Sequence, residues 1–130
     1  MKMLESAQNY LETIYILKKQ LGEVKSVDIA DHLGFSKPSV SVAMKQLREN
    51  GYITINESNY ISLTKKGLDI ALNMFDKHNT LTGFLAALGV NEETAREDAC
   101  KIEHYISEES YGKLKKHIEE YLAAQDGRSD

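Results

Sequence analysis

At Gly51 the hydrophobic pattern of the chain changes period, and this change limits the possible fold more than any other feature. Before it, apolar residues recur at helical spacing. Ala7, Tyr10, Leu11, Ile14, Leu17 and Leu21 mark a first helix that Gly22 ends. Ser26 is placed to cap a short second helix over residues 27–33, which stops at Gly34. Ser36 then caps a third, "KPSVSVAMKQLREN", with Pro38 tolerated in its first turn and Gly51 closing it. After Gly51, "YITI" and "YISL" are β-branched and aromatic runs separated by "NESN", the signature of a hairpin. Two short helices about a glycine turn, followed by a hairpin, make a winged helix-turn-helix. The expected fold is mainly α with a small β-hairpin wing.

Beyond the hairpin the pattern is helical again. Thr64 caps a long helix from Lys65 that extends to about Leu88, just ahead of Gly89. Asn91, with Glu92 and Glu93, opens the next helix, and a last amphipathic helix covers residues 109–124. The tail "AAQDGRSD" reads as disordered. The expected organisation is a reading domain over residues 1–66, a helical domain over 67–124, and a tail over 125–130.

The formal net charge of −4 argues against nucleic acid only on average. Residues 1–80 carry ten Lys/Arg against nine Asp/Glu, whereas residues 81–130 carry six against eleven. Between Ser36 and Lys66 the basic residues Lys37, Lys45, Arg48, Lys65 and Lys66 outnumber Glu49 and Glu57. Binding to DNA depends on this local field. A recognition helix enters the major groove N-terminus first, so Ser36, Lys37, Pro38, Ser39, Ser41, Val42 and Lys45 are the candidate DNA-facing positions. Small hydroxyls and a helix N-terminus suit phosphate oxygens, and Val42 suits a thymine methyl. Lys45 and Arg48, and Lys65 and Lys66 after the wing, suit the backbone of double-stranded DNA. The plainer alternatives are a solvated helical hairpin or a winged helix that binds protein.

The stretch "EDACKIEHYISEE" holds the only cysteine. Cys100, Glu103 and His104 stand at i, i+3 and i+4, so all three project from one helical face. A thiolate, a carboxylate and an imidazole form a divalent-metal half-site, although the spacing also suits a packed thiol beside ordinary surface residues. Asn9 and Glu12 share a face of the first helix, and His78 lies on the long one. The single cysteine excludes an internal disulfide, in keeping with a reducing, cytoplasmic setting. No apolar run has the length of a membrane span, and the N-terminus lacks the core of a signal peptide.

From "NYLETIY" through the helix-turn-helix, "LTKKG", "KHNTLTGFLAALGV" and "DACKIEH", the chain resembles the diphtheria-toxin-repressor and manganese-transport-regulator family over residues 5–122. It resembles the short, two-domain manganese-type members. The resemblance implies a homodimeric repressor of metal-uptake genes that is activated by Fe²⁺ or Mn²⁺, with Co²⁺, Zn²⁺ or Ni²⁺ as surrogates. It implies a principal site at Asn9, Cys100, Glu103 and His104, and a second at Glu12, His78 and Glu103. Asn9 departs from the family's usual Met or Asp. Cys100 follows the iron-type pattern, while Glu12 and His78 follow the manganese type. The iron-type ancillary site has no metal-binding side chains where Thr82 and Arg96 stand. The ligand set is therefore hybrid, and its thiolate leans to Fe²⁺ over Mn²⁺. A metal that ties the first helix to the Cys100 helix would set the separation of two recognition helices in the dimer. Leu81, Phe84, Leu85, Leu88, Ile102, Tyr105 and Ile106 offer apolar faces for that dimer or for the protomer's own core.

Two rivals remain at this level. A winged-helix regulator that has lost metal control, or that senses a different effector, would bind its operator without metal. An enzyme would need better chemistry than Cys100 and His104 on adjacent turns of one helix, and the chain has neither a Gly-rich phosphate loop nor an HExxH motif. The expectation is therefore no catalysis, no small-molecule substrate and no membrane partner.

Overall fold

The computed structural model describes residues 5–127. In chain order these form α1 (Glu5–Leu21), α2 (Ser26–Leu33), α3 (Lys37–Glu49), β1 (Ile53–Ile55), β2 (Ile61–Leu63), α4 (Lys65–Ala87), α5 (Glu92–Tyr105) and α6 (Glu108–Gly127). The chain divides into two compact units, one up to Met74 and one from Phe75. The break falls inside α4, later than the boundary after residue 66, because Ile70 and Ala71 of α4 pack into the core of the first unit.

In the first unit, α1 contributes Leu11, Ile14 and Leu17 to a core completed by Ile29 and Ala30 of α2 and by Val40, Met44 and Leu47 of α3. Ile53 and Ile61 add the inner face of the hairpin. The strands are antiparallel, with Ile53 opposite Leu63, Thr54 opposite Ser62, and Ile55 opposite Ile61. Their loop is held by Asn56, whose Oδ1 accepts from the Ser58 and Tyr60 amides, each at 2.9 Å. The Ile61 amide donates to the Val24 carbonyl at 2.7 Å, so the hairpin is also tied to the segment between α1 and α2.

Most helix boundaries follow from caps. Ser36 Oγ accepts from the Ser39 amide at 3.3 Å, and Asn91 Oδ1 from the Glu93 amide at 3.0 Å. Thr64 Oγ1 accepts from the Gly67 amide at 3.2 Å and donates to the Gly51 carbonyl at 2.7 Å, so one hydroxyl starts α4 and closes the hairpin base. Ser26 is the exception. It is the first helical residue of α2, and the cap position belongs to Lys25. The Asp28 carboxylate accepts from the Lys25 amide at 2.9 Å and satisfies the end that Ser26 was expected to satisfy.

The second unit is built on Leu81, Ala99, Tyr111 and Ile118, with Phe84, Ile106, Leu114 and Leu122 packed around them. Polar ties join α4 to α6 at one end. Lys77 Nζ donates to Glu108 Oε1 at 2.6 Å, and Asp76 accepts from the Tyr111 hydroxyl at 2.7 Å and from Lys115 Nζ at 3.0 Å. Burial pushes the Tyr111 hydroxyl up to about 12, helped by its bond to Asp76 and opposed by Thr80. At its other end α6 runs through Gly127, past the residue-124 limit, and Gln125 Nε2 in that added stretch donates back to the Tyr121 hydroxyl at 2.7 Å. Residues 128–130 of the expected tail lie outside the described residues.

Candidate functional site

In the second unit, helical geometry brings Cys100, Glu103 and His104 onto one face of α5. Their donor atoms all lie within 4.8 Å of one another. Glu103 is only 1% exposed. Its Oε2 lies 3.1 Å from Nδ1 of His78, so α4 brings a second imidazole to the same carboxylate. Its Oε1 has no hydrogen-bond partner and stands 3.6 Å from His104 Nε2. A buried carboxylate oxygen left unmatched among a thiol and two imidazoles is costly unless a cation satisfies it. The donor set therefore fits a divalent metal, and a soft thiolate beside imidazoles suits Fe²⁺, Co²⁺ or Zn²⁺ better than Mn²⁺.

Asn9 and Glu12 belong to the first unit, on successive turns of α1, where Asn9 is half-buried and Glu12 buried. Thr82 and Arg96 add no further metal ligand. Thr82 Oγ1 is buried without a hydrogen-bond partner, and Arg96 Nη1 pairs with Glu92 at 3.2 Å.

The first unit carries the second candidate surface. Ser36, Lys37, Pro38, Ser39, Ser41, Val42, Lys45 and Arg48 are all exposed, on the side of α3 opposite Val40, Met44 and Leu47. Lys45 and Arg48 share a cleft with Lys25 and Ser26 at the start of α2 and with Asn59 at the tip of the hairpin. Lys25 Nζ lies 5.0 Å from the centre of the Tyr60 ring. Lys25 and Asn59 were not among the expected positions, because Lys25 reaches α3 only through the packing of α2 on α3, and Asn59 only through the way the hairpin folds back. The one local signal was Lys25 just ahead of a helix. Lys65 and Lys66 are both exposed, and Lys66 Nζ also donates to the Asn50 carbonyl at 3.4 Å and sits 4.3 Å from the Tyr52 ring centre. Lys66 thus braces the hairpin base.

The apolar residues of the second unit sort into two groups. Leu81 is buried in the protomer's own core, and Phe84 and Ile106 pack against it. Leu81 is 3% exposed. Leu85 is half-buried, while Leu88, Ile102 and Tyr105 are exposed. Among the described residues no helix is long and apolar enough to cross a membrane.

A winged helix with an exposed, hydroxyl-rich and basic recognition helix, together with a Cys/Glu/His cluster around a buried carboxylate, defines a metal-responsive DNA-binding regulator. Residues 2–59 match the family described as "Iron dependent repressor, N-terminal DNA binding domain". Residues 64–129 match "Iron dependent repressor, metal binding and dimerisation domain". The chain belongs to the iron-dependent repressor family. It is 36% identical over 121 residues to an uncharacterised HTH-type transcriptional regulator of Methanocaldococcus jannaschii, covering 92% of this chain and 97% of that one. It is 37% identical over 106 residues to the transcriptional regulator MntR of Escherichia coli O157:H7, covering 82% and 68%. Among solved structures it is similar to a manganese-dependent transcriptional repressor in complex with manganese. The TM-score is 0.77 at 25% identity, covering 86% of this chain and 52% of that one. It is also similar to IdeR of T. acidophilum, with a TM-score of 0.73 at 25% identity, covering 89% and 53%. The chain spans about half the length of these two solved proteins.

Proposed function

We propose that the chain is a homodimeric transcriptional repressor of the cytoplasm, controlling metal-uptake or metal-homeostasis genes, that binds operator DNA when it holds Fe²⁺ or Mn²⁺. The observation that carries this reading is the unmatched, buried Glu103 oxygen beside His104, with Cys100 on the same helical face. Cys100, Glu103, His104 and His78 hold the metal from the second unit, and Asn9 and Glu12 are the ligands supplied by α1. When bound, the metal supplies a double positive charge and fixed ligand directions. The chain's residues do the rest. Glu103 presents one oxygen toward His104 and the other to His78, and Cys100 tilts the preference toward Fe²⁺.

On the DNA side, Ser36, Ser39 and Ser41 offer hydroxyls at the leading end of α3, and Val42 an apolar contact for a thymine methyl. Lys37 and Pro38 line the same end. Lys45, Arg48 and Lys25 carry the charge that displaces counterions from phosphates, with Lys65 flanking the wing. Leu88, Ile102 and Tyr105, with Leu85, form the apolar patch for the second protomer. A dimer must place its two recognition helices roughly 34 Å apart to meet successive major grooves. Metal favours DNA binding only through tighter affinity for the competent arrangement, and DNA must tighten metal binding by the same factor.

Selection from a random-sequence duplex pool tests this. The purified chain is presented with the pool in Mn²⁺, in anaerobic Fe²⁺, and in chelator. Enrichment of one inverted repeat with either metal, and none in chelator, is the expected result. The same repeat enriched in chelator would mean a regulator without metal control. A Co²⁺ titration of reduced protein tests the ligand set. A near-ultraviolet thiolate charge-transfer band is expected, and Cys100→Ser should abolish it. A band that survives the substitution would remove Cys100 from the site.

A further inference from the structure

We infer that the edge-on contact between Tyr10 and Phe35 is a positioning device through which α1 sets the N-terminal end of the recognition helix. The two rings lie 6.1 Å apart between centroids at an interplanar angle of 75°, the edge-to-face arrangement that aromatic quadrupoles prefer. Phe35 is 47% exposed. A large apolar side chain kept half in water on a tight turn is not there to fill the core. Its backbone is fixed from the other side, since its amide donates to the Ala30 carbonyl at 3.1 Å where Gly34, at φ 72°, ends α2. The next residue is Ser36, whose hydroxyl caps α3 by accepting from the Ser39 amide. The path from α1 to the leading turn of α3 is thus one ring contact followed by one peptide bond.

Tyr10 follows Asn9 directly and precedes Glu12 by two positions on α1. A helix turns as a rigid rod, so any shift that carries Asn9 and Glu12 toward a ligand carries the Tyr10 ring with it. The Phe35 ring then moves against Tyr10, and the Ser36–Ser39 cap moves with Phe35. The buried residues of α1, Leu11, Ile14 and Leu17, hold the helix to the core as a whole. The contact with Phe35, by contrast, acts on the turn itself. Couplings carried by such contacts change affinity by about two- to thirty-fold. Roughly five-fold is expected here, because half of Phe35 remains in water.

This inference rests on metal-dependent DNA binding as proposed above. Its test uses Phe35→Ala, Phe35→Leu, Tyr10→Ala, the Tyr10→Ala/Phe35→Ala double variant and Tyr10→Phe. Each is measured by fluorescence anisotropy on the duplex selected with the wild type, at saturating Mn²⁺ and in chelator. Three variants, Phe35→Ala, Phe35→Leu and Tyr10→Ala, should lose about five-fold in affinity with Mn²⁺ and nothing in chelator. The double variant should be no worse than the weaker single, and Tyr10→Phe, which keeps the ring, should match the wild type. Mn²⁺ affinity without DNA is measured in parallel. Equal losses with and without metal would make Phe35 a direct DNA contact or a plain stability element and overturn the inference, as would additive losses. Wild-type protein indifferent to metal would instead sink the functional proposal, so the two failures are distinguishable.

Discussion

Glu103→Gln should abolish tight metal binding while raising the stability of the metal-free protein. Both effects come from one buried carboxylate. Its Oε2 faces His78 Nδ1 at 3.1 Å, and its Oε1 has no hydrogen-bond partner although the residue is 1% exposed. Leaving a buried polar atom unmatched costs about 1–3 kcal/mol, more where charge is involved. Glutamine keeps the shape, and its amide nitrogen can donate to a neighbouring imidazole. A gain of ~1 kcal/mol in chelator is therefore expected, worth about 3–5 °C in Tm for a chain of this size. Metal affinity should fall by about a hundred-fold, roughly 2.7 kcal/mol, because a neutral amide replaces the anion that stands between His78 and His104. Scanning calorimetry with and without Mn²⁺ reads both effects. The wild type should gain Tm with metal as ligand binding requires, and the variant should not. A variant less stable than the wild type in chelator would make the Glu103–His78 pair a structural tie and the metal reading wrong.

How much of this was legible in the sequence depended on distance along the chain. The caps at Ser36, Thr64 and Asn91 could be read because a side chain that satisfies an amide two or three residues on is a local event. The hairpin could be read for the same reason, since its period and its Asn56 loop are local. Lys25 took the cap position from Ser26 because Asp28 reaches back to its amide, an exchange that residue type alone does not decide. The Cys100, Glu103 and His104 triplet was legible as helical spacing, but the approach of His78, twenty-five residues away, is a matter of packing. The sequence offered His78 as a group able to complete a coordination sphere, and only the family resemblance assigned it to a site beforehand. Leu81 and Leu88 look alike in sequence, and nothing but packing sends one to the core and leaves the other 54% exposed.

Gly67→Ala should reverse the usual rule for glycine in helices. Replacing an interior helical glycine by alanine ordinarily gains up to about 1 kcal/mol, by relieving backbone entropy. Gly67 lies in the first turn of α4, and a Cβ there would run into the carbonyl oxygen of Tyr52. That oxygen is backbone and cannot swing aside. It already accepts the Thr64 amide at 3.1 Å, while Thr64 Oγ1 donates to the Gly51 carbonyl at 2.7 Å and accepts from the Gly67 amide at 3.2 Å. The close approach thus sits where the entry to β1, the exit from β2 and the start of α4 are joined. Forcing a methyl group into it must push α4 from the hairpin, at a cost of about 1–3 kcal/mol. Gly83 and Gly112 provide the control. Each is helical with nothing within 4 Å of an added Cβ, so alanine at either should stabilise by up to about 1 kcal/mol. Urea unfolding of the three variants separates the cases by the sign of the midpoint shift. Gly67→Ala should also weaken duplex binding in metal, since the hairpin carries Asn59 and the Tyr60 ring against which Lys25 rests. A midpoint that rises for Gly67→Ala as it does for the other two would show that α4 does not press on Tyr52, and that the hairpin is held by its strand bonds, its tie to Val24 and the packing of Ile53 and Ile61 without the close approach of α4.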